Sequence, residues 1–595
     1  MSDEIRIREQ LRLLYGSDGD KTWIEINNLL NEFQMRNPHL SQGGLQLDEK
    51  DVILITYGDQ FQEAEKRNLQ SLSNFLNNYL SGFINRVHIL PFYPYSSDDG
   101  FSVIDYRQVD PQIGTWEDIT QITNNFQLMF DAVINHISRK SVWFQAFARG
   151  EMPYMDYFIT VGPAADLSSV FRPRALPLLS AEKTTDGEKF VWTTFSNDQI
   201  DLNYANPLVL LEIIDLLLFY VERGARLIRL DAIGYAWKQI GTSSLNLPQA
   251  HSLVKIFRSV FNIATPQVGL ITETNVPHKE NIKYFGEPLA DGELSDIPPS
   301  GDEAQLVYQF SLAPLILHSF NASDVSVLTK WVRTLSVPYQ NAAFFNFIAS
   351  HDGIGVMPAK GLLTDTEINA LVAKTKLHGG EVSHKTNSDG SKSVYELNIT
   401  LYDALNNPED ENPEVDVKRF LASQAIMLSL AGVPGIYIHS LFGSRNCHSC
   451  VESTSRARSI NREKFVLSEL LDILDDDENI HRNVFFGYQK LLSIRQSHPS
   501  FNPSGPQKVF DNNRHVFTLL RSAARQQEHI LCLINVSPQQ QEVHIDLNEL
   551  GLSNVNTFSD LLGDQSFHLD SGQLDLVIKG FQTMWLIAGE SIGNN

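Results

Sequence analysis

Residues 226–238 read RLIRLDAIGYAWK. The first half has the apolar weight of a buried strand, and a strand's period of two sends Arg229 and Asp231 to one face. A guanidinium beside a carboxylate keeps that carboxylate ionised and oriented. Such a pair suits a nucleophile and equally a plain structural ion pair, so its meaning depends on the strands around it.

Seven further apolar runs flank it: VILITY (52–57), VHILPFY (87–93), LMFDAVINH (128–136), GLITETN (269–275), LVYQFSL (306–312), FFNFIASHD (344–352) and VPGIYIH (433–439). Between most of them lie amphipathic stretches long enough for a helix, such as LVLLEIIDLLLFYVERG and HSLVKIFRSVFNIA. Each strand therefore returns parallel to the last, and eight such units predict a closed (β/α)8 TIM barrel. At 595 residues and 67.1 kDa the chain exceeds one core but suits a barrel of about 250–400 residues with attachments.

The attachments follow from changes of pattern. Residues 1–50, with IRIREQLRLLYG and WIEINNLLNEFQ, read as an N-terminal helical extension. The barrel occupies 51–500, and the long intervals at 150–205 and 360–415 are expected as inserted subdomains over its mouth. Past residue 500, HVFTLLRSA, HILCLINVS, QEVHIDL and LDLVIKG alternate like half-buried strands. They predict a small C-terminal antiparallel β-domain over 501–595.

Charge narrows the function classes. With 47 basic and 71 acidic residues the net charge is −24, a field that repels nucleic acid and anionic lipid surfaces. An anionic small substrate would need a local arginine cluster. The N-terminus lacks a secretory pattern, and no segment offers about 18 uninterrupted apolar residues. Three cysteines, Cys447, Cys450 and Cys532, are too few for a disulfide framework. Together these features predict a protein of the reducing cytoplasm.

Several strands end in polar residues: Asn135 and His136, Asp231, Glu273, and His351 with Asp352. The C-terminal ends of barrel strands are where this architecture places chemistry. Three acids on one rim cannot all be charged, so one should keep its proton and another stay ionised. Retaining glycoside chemistry needs that division, with the two working carboxyl groups about 5–5.5 Å apart.

DAVINH, RLIRLDAIG, ITETN and FIASHD, in that order, resemble the four conserved segments of the α-amylase superfamily of retaining α-glycosidases. The resemblance implies Asp231 as nucleophile, Glu273 as acid/base and Asp352 as the carboxylate that stabilises the oxocarbenium-like state. His136 and His351 would hydrogen-bond the glucose ring, and Arg229 would support Asp231. LPFYPYSSDDGFSVIDYRQVDP, RPRALPLL, DEAQLVYQF, SHDGIGV and RSINR are similar to the sucrose phosphorylase-like branch. By that likeness Asp98 and Arg458 would pin the far hydroxyls and close the pocket behind one sugar unit.

Within the branch, LITETNVPHKENIKYFG, TTFSNDQIDLNYANP and HSLFGSRN resemble the glucosylglycerate phosphorylases. Where sucrose phosphorylases have His two places after the acid, this chain has Asn275. Where they have Gln after a loop Tyr, it has Glu396 after Tyr395. Those positions line the acceptor and phosphate side in the family, so the departures imply an acceptor other than fructose, with D-glycerate first. The partners expected are a glucoside, phosphate and a small hydroxyl acceptor. Arg172 and Arg174 in FRPRALP are the candidate anion cluster, since planar guanidinium forks suit phosphate or carboxylate; a plain surface pair is the alternative.

Other features carry less. The Cys447–Cys450 spacing resembles a metal motif, but a tetrahedral zinc site wants four ligands and no second such pair occurs. Cys532 reads as a core thiol. Phe101 and Tyr106 suit stacking on sugar or ordinary packing, and His251, His278 and His318 read as structural. No Gly-rich phosphate loop or HExxH occurs, so neither a nucleotide cofactor nor a catalytic metal is expected. Phosphorylases of sucrose or glucosylglycerol, an α-glucoside hydrolase, and a non-catalytic amylase-like binding protein stay open as other readings, as does a homo-oligomer.

Overall fold

The computed structural model describes residues 2–162, 164–174, 176–289, 299–337, 339–387, 390–523, 528–569 and 572–590. Each of the eight apolar runs supplies one strand: β1 (Ile53–Thr56), β2 (Arg86–Ile89), β3 (Gln127–Ala132), β4 (Ala225–Leu230), β5 (Gly269–Thr272), β6 (Leu306–Tyr308), β7 (Ala343–Phe347) and β8 (Val433–Tyr437). They form a closed parallel barrel in sequence order, with β1 pairing both β2 and β8. The continuous apolar runs follow from burial on both faces, barrel interior and helix layer; all four residues of β1 are buried.

Helices cover the outside. Pro207–Glu222 starts where Asn206 accepts the Leu208 N–H and Pro207 supplies a preset φ. It buries Leu210, Ile213, Ile214 and Leu217. The helix Pro248–Ala264 buries a similar face, and the N-terminal helix Asp3–Tyr15 packs on it. Register sets the site: Arg229 on β4 lies beside Asp131 on β3 and Ile271 on β5.

After β3, the strand His136–Ser138 pairs with Gln199–Asp201, and Leu179–Thr184 forms a hairpin with Gly187–Trp192. After β7 come the helix Asp365–Leu377 and a hairpin of Glu381–Thr386 with Lys392–Asn398, to which Ile354–Gly355 adds an edge. The C-terminal residues form a six-stranded antiparallel sheet with its own apolar cluster around Leu531, Leu533, Phe558 and Leu574. Buried Arg521 fastens it to the barrel by donating to the carbonyls of Ser429 and Asn502. Ser429 ends the helix Pro413–Ser429, where a cation is favoured.

Cys447 and Cys450 are joined in a disulfide, a correction to the expectation of reduced thiols. Their spacing across the start of the short helix His448–Thr454 brings the Cα atoms to 5.3 Å, within bridging range. Cys532 is a buried free thiol. Among the described residues no helix is long and apolar enough to cross a membrane.

Candidate active site

The chain leaves β4, β5 and β7 towards Asp231, Glu273 and Asp352, and all three line one cavity at the barrel mouth. Buried Arg229 is the common partner of two of them. Its Nη1 donates to Asp231 Oδ1 at 2.7 Å and to Asp131 Oδ1 at 2.5 Å, while Nη2 lies 3.9 Å from Glu273 Oε2. Asp131 is held in turn by His88 Nε2 at 2.6 Å. The guanidinium carbon stands 5.8 Å from the Phe101 ring centre and 5.5 Å from that of Tyr308.

The backbone turns sharply after the nucleophile candidate. Ala232 has a left-handed φ of 48°, and its N–H donates to Glu273 Oε2 at 2.9 Å. Asp231 and Glu273 are thereby tied to one another through a single residue as well as through Arg229.

Burial, together with the negative charges of Asp231 and Asp352, pushes Glu273 up to about 7 against the pull of Arg229. Burial also pushes Asp231 up, opposed by Arg229. Within this coupled pair the proton belongs on Glu273, because the guanidinium touches Asp231 at 2.7 Å and Glu273 only at 3.9 Å. Asp352 is the opposite case: burial would raise it, but the guanidinia of Arg458 and Arg462 hold it well below the usual carboxylate range. Asp131 likewise resists burial through Arg229 and His88, and is pulled down to about 2.

One wall of the cavity is aromatic. The Phe101 ring stacks on His351, centres 4.8 Å apart and planes 8° from parallel. Burial lowers His351 to about 3, so its imidazole is neutral at working pH. His136 Nε2 donates to the Phe101 carbonyl at 2.8 Å. Behind it, Asn135 and Asp201, oxygen ligands of the type a divalent cation takes, instead accept the buried Lys238 ammonium at 2.6 and 2.7 Å.

Asp98 reaches the cavity from a strained turn. Asp98, Asp99 and Gly100 have φ of 57°, 48° and 106°, a conformation costing about 1–2 kcal/mol per non-glycine residue. Gly100 admits no side chain, since a Cβ there would lie 2.5 Å from the Pro91 carbonyl oxygen. The turn aims Asp98 at the cavity and Asp99 at Arg462.

Arg458 bridges two acids. Nη1 lies 2.5 Å from Asp352 Oδ1, Nη2 lies 2.5 Å from Glu396 Oε1, and Nε donates to Glu396 Oε2 at 3.1 Å. Glu396 lines the cavity, with both its oxygens committed to this ion pair. Asn275 Nδ2 contacts the Tyr395 hydroxyl at 3.4 Å, and both residues line the cavity. The two candidate arginines separate: Arg174 lines the cavity, whereas Arg172 donates to the Leu176 carbonyl and does not. Among the described residues Arg174 has no carboxylate or hydrogen-bond partner, and it shares the cavity lining with Tyr235 and Tyr395.

Sequence reasoning missed Gln199, Phe195 and Tyr235, which also line the cavity. Gln199 Nε2 donates to the Phe101 carbonyl at 3.1 Å and approaches Asp98 Oδ2 at 3.4 Å. Its signal was the short strand inside the first insertion, which pairs with the one beginning at His136.

Eight parallel strands close in sequence order, three of them leading to acids that line one cavity, and residues 57–353 match the family described as alpha amylase, catalytic domain. The chain is 46% identical over 590 residues to a Spirochaeta thermophila protein named glucosylglycerate phosphorylase, covering 98% of each chain. An Escherichia coli protein of the same name is 40% identical over 583 residues, covering 98% of this chain and 99% of that one. The solved sucrose 6F-phosphate phosphorylase of Thermoanaerobacter thermosaccharolyticum superposes with a TM-score of 0.69 at 26% identity, over 83% of this chain and 95% of that one. The chain belongs to the glucosylglycerate phosphorylase family within the α-amylase group.

Proposed function

We propose that this protein catalyses reversible phosphorolysis of 2-O-α-D-glucosyl-D-glycerate to α-D-glucose 1-phosphate and D-glycerate, with retention at the anomeric carbon. Asp231 attacks that carbon while Glu273 passes its proton to the departing glycerate oxygen, leaving a glucosyl ester on Asp231. Phosphate then takes the place of glycerate; one of its oxygens displaces Asp231, and Glu273 recovers a proton. Asp352, kept ionised by Arg458, faces the positive charge that builds on the ring. Asp98 and Arg458 take the far hydroxyls, His136 and His351 those nearer the reacting carbon, and Phe101 the apolar face.

The anion of each half-reaction goes to Arg174, beside Asn275 and Tyr395: glycerate carboxylate in one, phosphate in the other. The other guanidinia around the sugar, Arg229 and Arg458, are occupied by carboxylates. The loops around 390–400 and 440–450 keep water from the ester. The observation that carries the assignment is near-full-length identity to phosphorylases named for glucosylglycerate. A cytoplasmic location belongs to the same proposal, because a sugar phosphate is retained by the membrane around it.

Purified protein with phosphate is expected to release glucose 1-phosphate from glucosylglycerate at least about tenfold faster than from sucrose or glucosylglycerol. Equal rates on the three glucosides, or glucose appearing without phosphate, would remove the assignment.

The proton on Glu273 sets a pH limb. In a double displacement, kcat/KM for glucosylglycerate reports only the first half-reaction and is untouched by the ionisation of phosphate. Protonated Glu273 is the active form, so this quantity is expected to fall about tenfold per unit above about pH 7. A pH–rate profile that stays level to pH 9 would contradict the assignment of the acid.

A further inference from the structure

The turn that carries Asp98 is uphill in conformational energy, and one carboxylate outside the cavity holds it. Asp198 belongs to the insertion after β3 and does not line the cavity. Its Oδ2 accepts the hydroxyls of Ser96 at 2.6 Å, Ser97 at 2.5 Å and Ser102 at 2.8 Å. Those serines stand on both flanks of the left-handed residues 98–100. The backbone closes the same loop, with Ser96 N–H on the Ser102 carbonyl and Ser102 N–H on that of Ser97. A charged oxygen suits the task, since a carboxylate accepts several hydroxyl protons with no donor of its own to turn away.

We propose that Asp198 is a positioning residue for glucose recognition: by gathering three serine hydroxyls it keeps the strained turn closed and Asp98 aimed into the cavity. Its neighbour Gln199 approaches Asp98 Oδ2 at 3.4 Å, so the same two-residue step of the insertion both clamps the turn and touches the acid it presents. This inference rests on the assignment of glucose hydroxyls to Asp98.

The test is a double-mutant cycle on the full chain, with kinetics for glucose 1-phosphate and D-glycerate. Asp198→Asn and Asp198→Ala are expected to raise KM for glucose 1-phosphate by about tenfold to a hundredfold, with a smaller change in kcat. Asp98→Ala gives a loss of similar kind, and Asp198→Ala added to Asp98→Ala costs little more, because the clamp then has nothing left to aim. Ser97→Ala and Ser102→Ala, which leave the carboxylate in place, give the same KM change in smaller measure and guard against a variant that fails to fold. Unchanged KM in Asp198→Asn overturns the inference. A double variant whose loss equals the product of the two single losses overturns it while leaving the glucose assignment standing. A silent Asp98→Ala variant overturns that assignment, and the inference with it.

Discussion

Replacing Asp231 with Asn is expected to lower kcat for phosphorolysis and for synthesis alike by about 10⁴-fold or more, about 5.5 kcal/mol of transition-state stabilisation. The amide keeps the shape, and its oxygen still accepts from Arg229 Nη1, which now contacts Asp231 Oδ1 at 2.7 Å. What is lost is the nucleophile, and with it the glucosyl ester through which both directions pass. Folding should not suffer. Asp231 shares the barrel mouth with Asp131, Glu273 and Asp352, and deleting one of several crowded negative charges relieves repulsion. A thermal melt at or above that of the parent, together with unchanged binding of glucose 1-phosphate, would show an intact but inert site. Turnover within about a hundredfold of the parent would exclude Asp231 as nucleophile.

The barrel was legible because its strands are buried on both faces and so write continuous apolar runs, each broken by polar residues where the strand reaches the mouth. Asp231, Glu273 and Asp352 were legible for the same reason, standing at the ends of such runs. Pairings between loops were not. Glu396 and Arg458 are 62 residues apart, and no periodicity announces that both oxygens of the one are committed to the other. Arg172 and Arg174 show the limit from the other side: spacing by two shares a face in a strand, but here the chain is a loop and the side chains part. The Cys447–Cys450 bridge needed the start of the helix at His448 to bring the two residues together. Asp198 left no trace in composition, because its worth lies in three serines about a hundred residues earlier.

Glu273→Gln separates the two halves of the mechanism by the chemistry of their leaving groups. Glycerate departs from an alcohol oxygen that needs a proton, so phosphorolysis of glucosylglycerate and its reversal are expected to fall about 10²–10⁴-fold. Phosphate departs from, and attacks as, an oxygen that carries its charge readily near neutral pH. Exchange of labelled phosphate into glucose 1-phosphate requires only that Asp231 be glucosylated and released, and should fall by about tenfold or less. The variant also loses the alkaline limb near pH 7, because the group that titrates there is gone. Gln retains an oxygen to accept the Ala232 N–H, which donates to Glu273 Oε2 at 2.9 Å, so the turn after Asp231 keeps its support. If glycerate transfer and phosphate exchange fall together, Glu273 serves the placement of Asp231 and not the movement of a proton. If exchange survives while glycerate transfer is lost, the neutral acid held between Arg229 and a buried wall is the proton carrier for the organic acceptor alone.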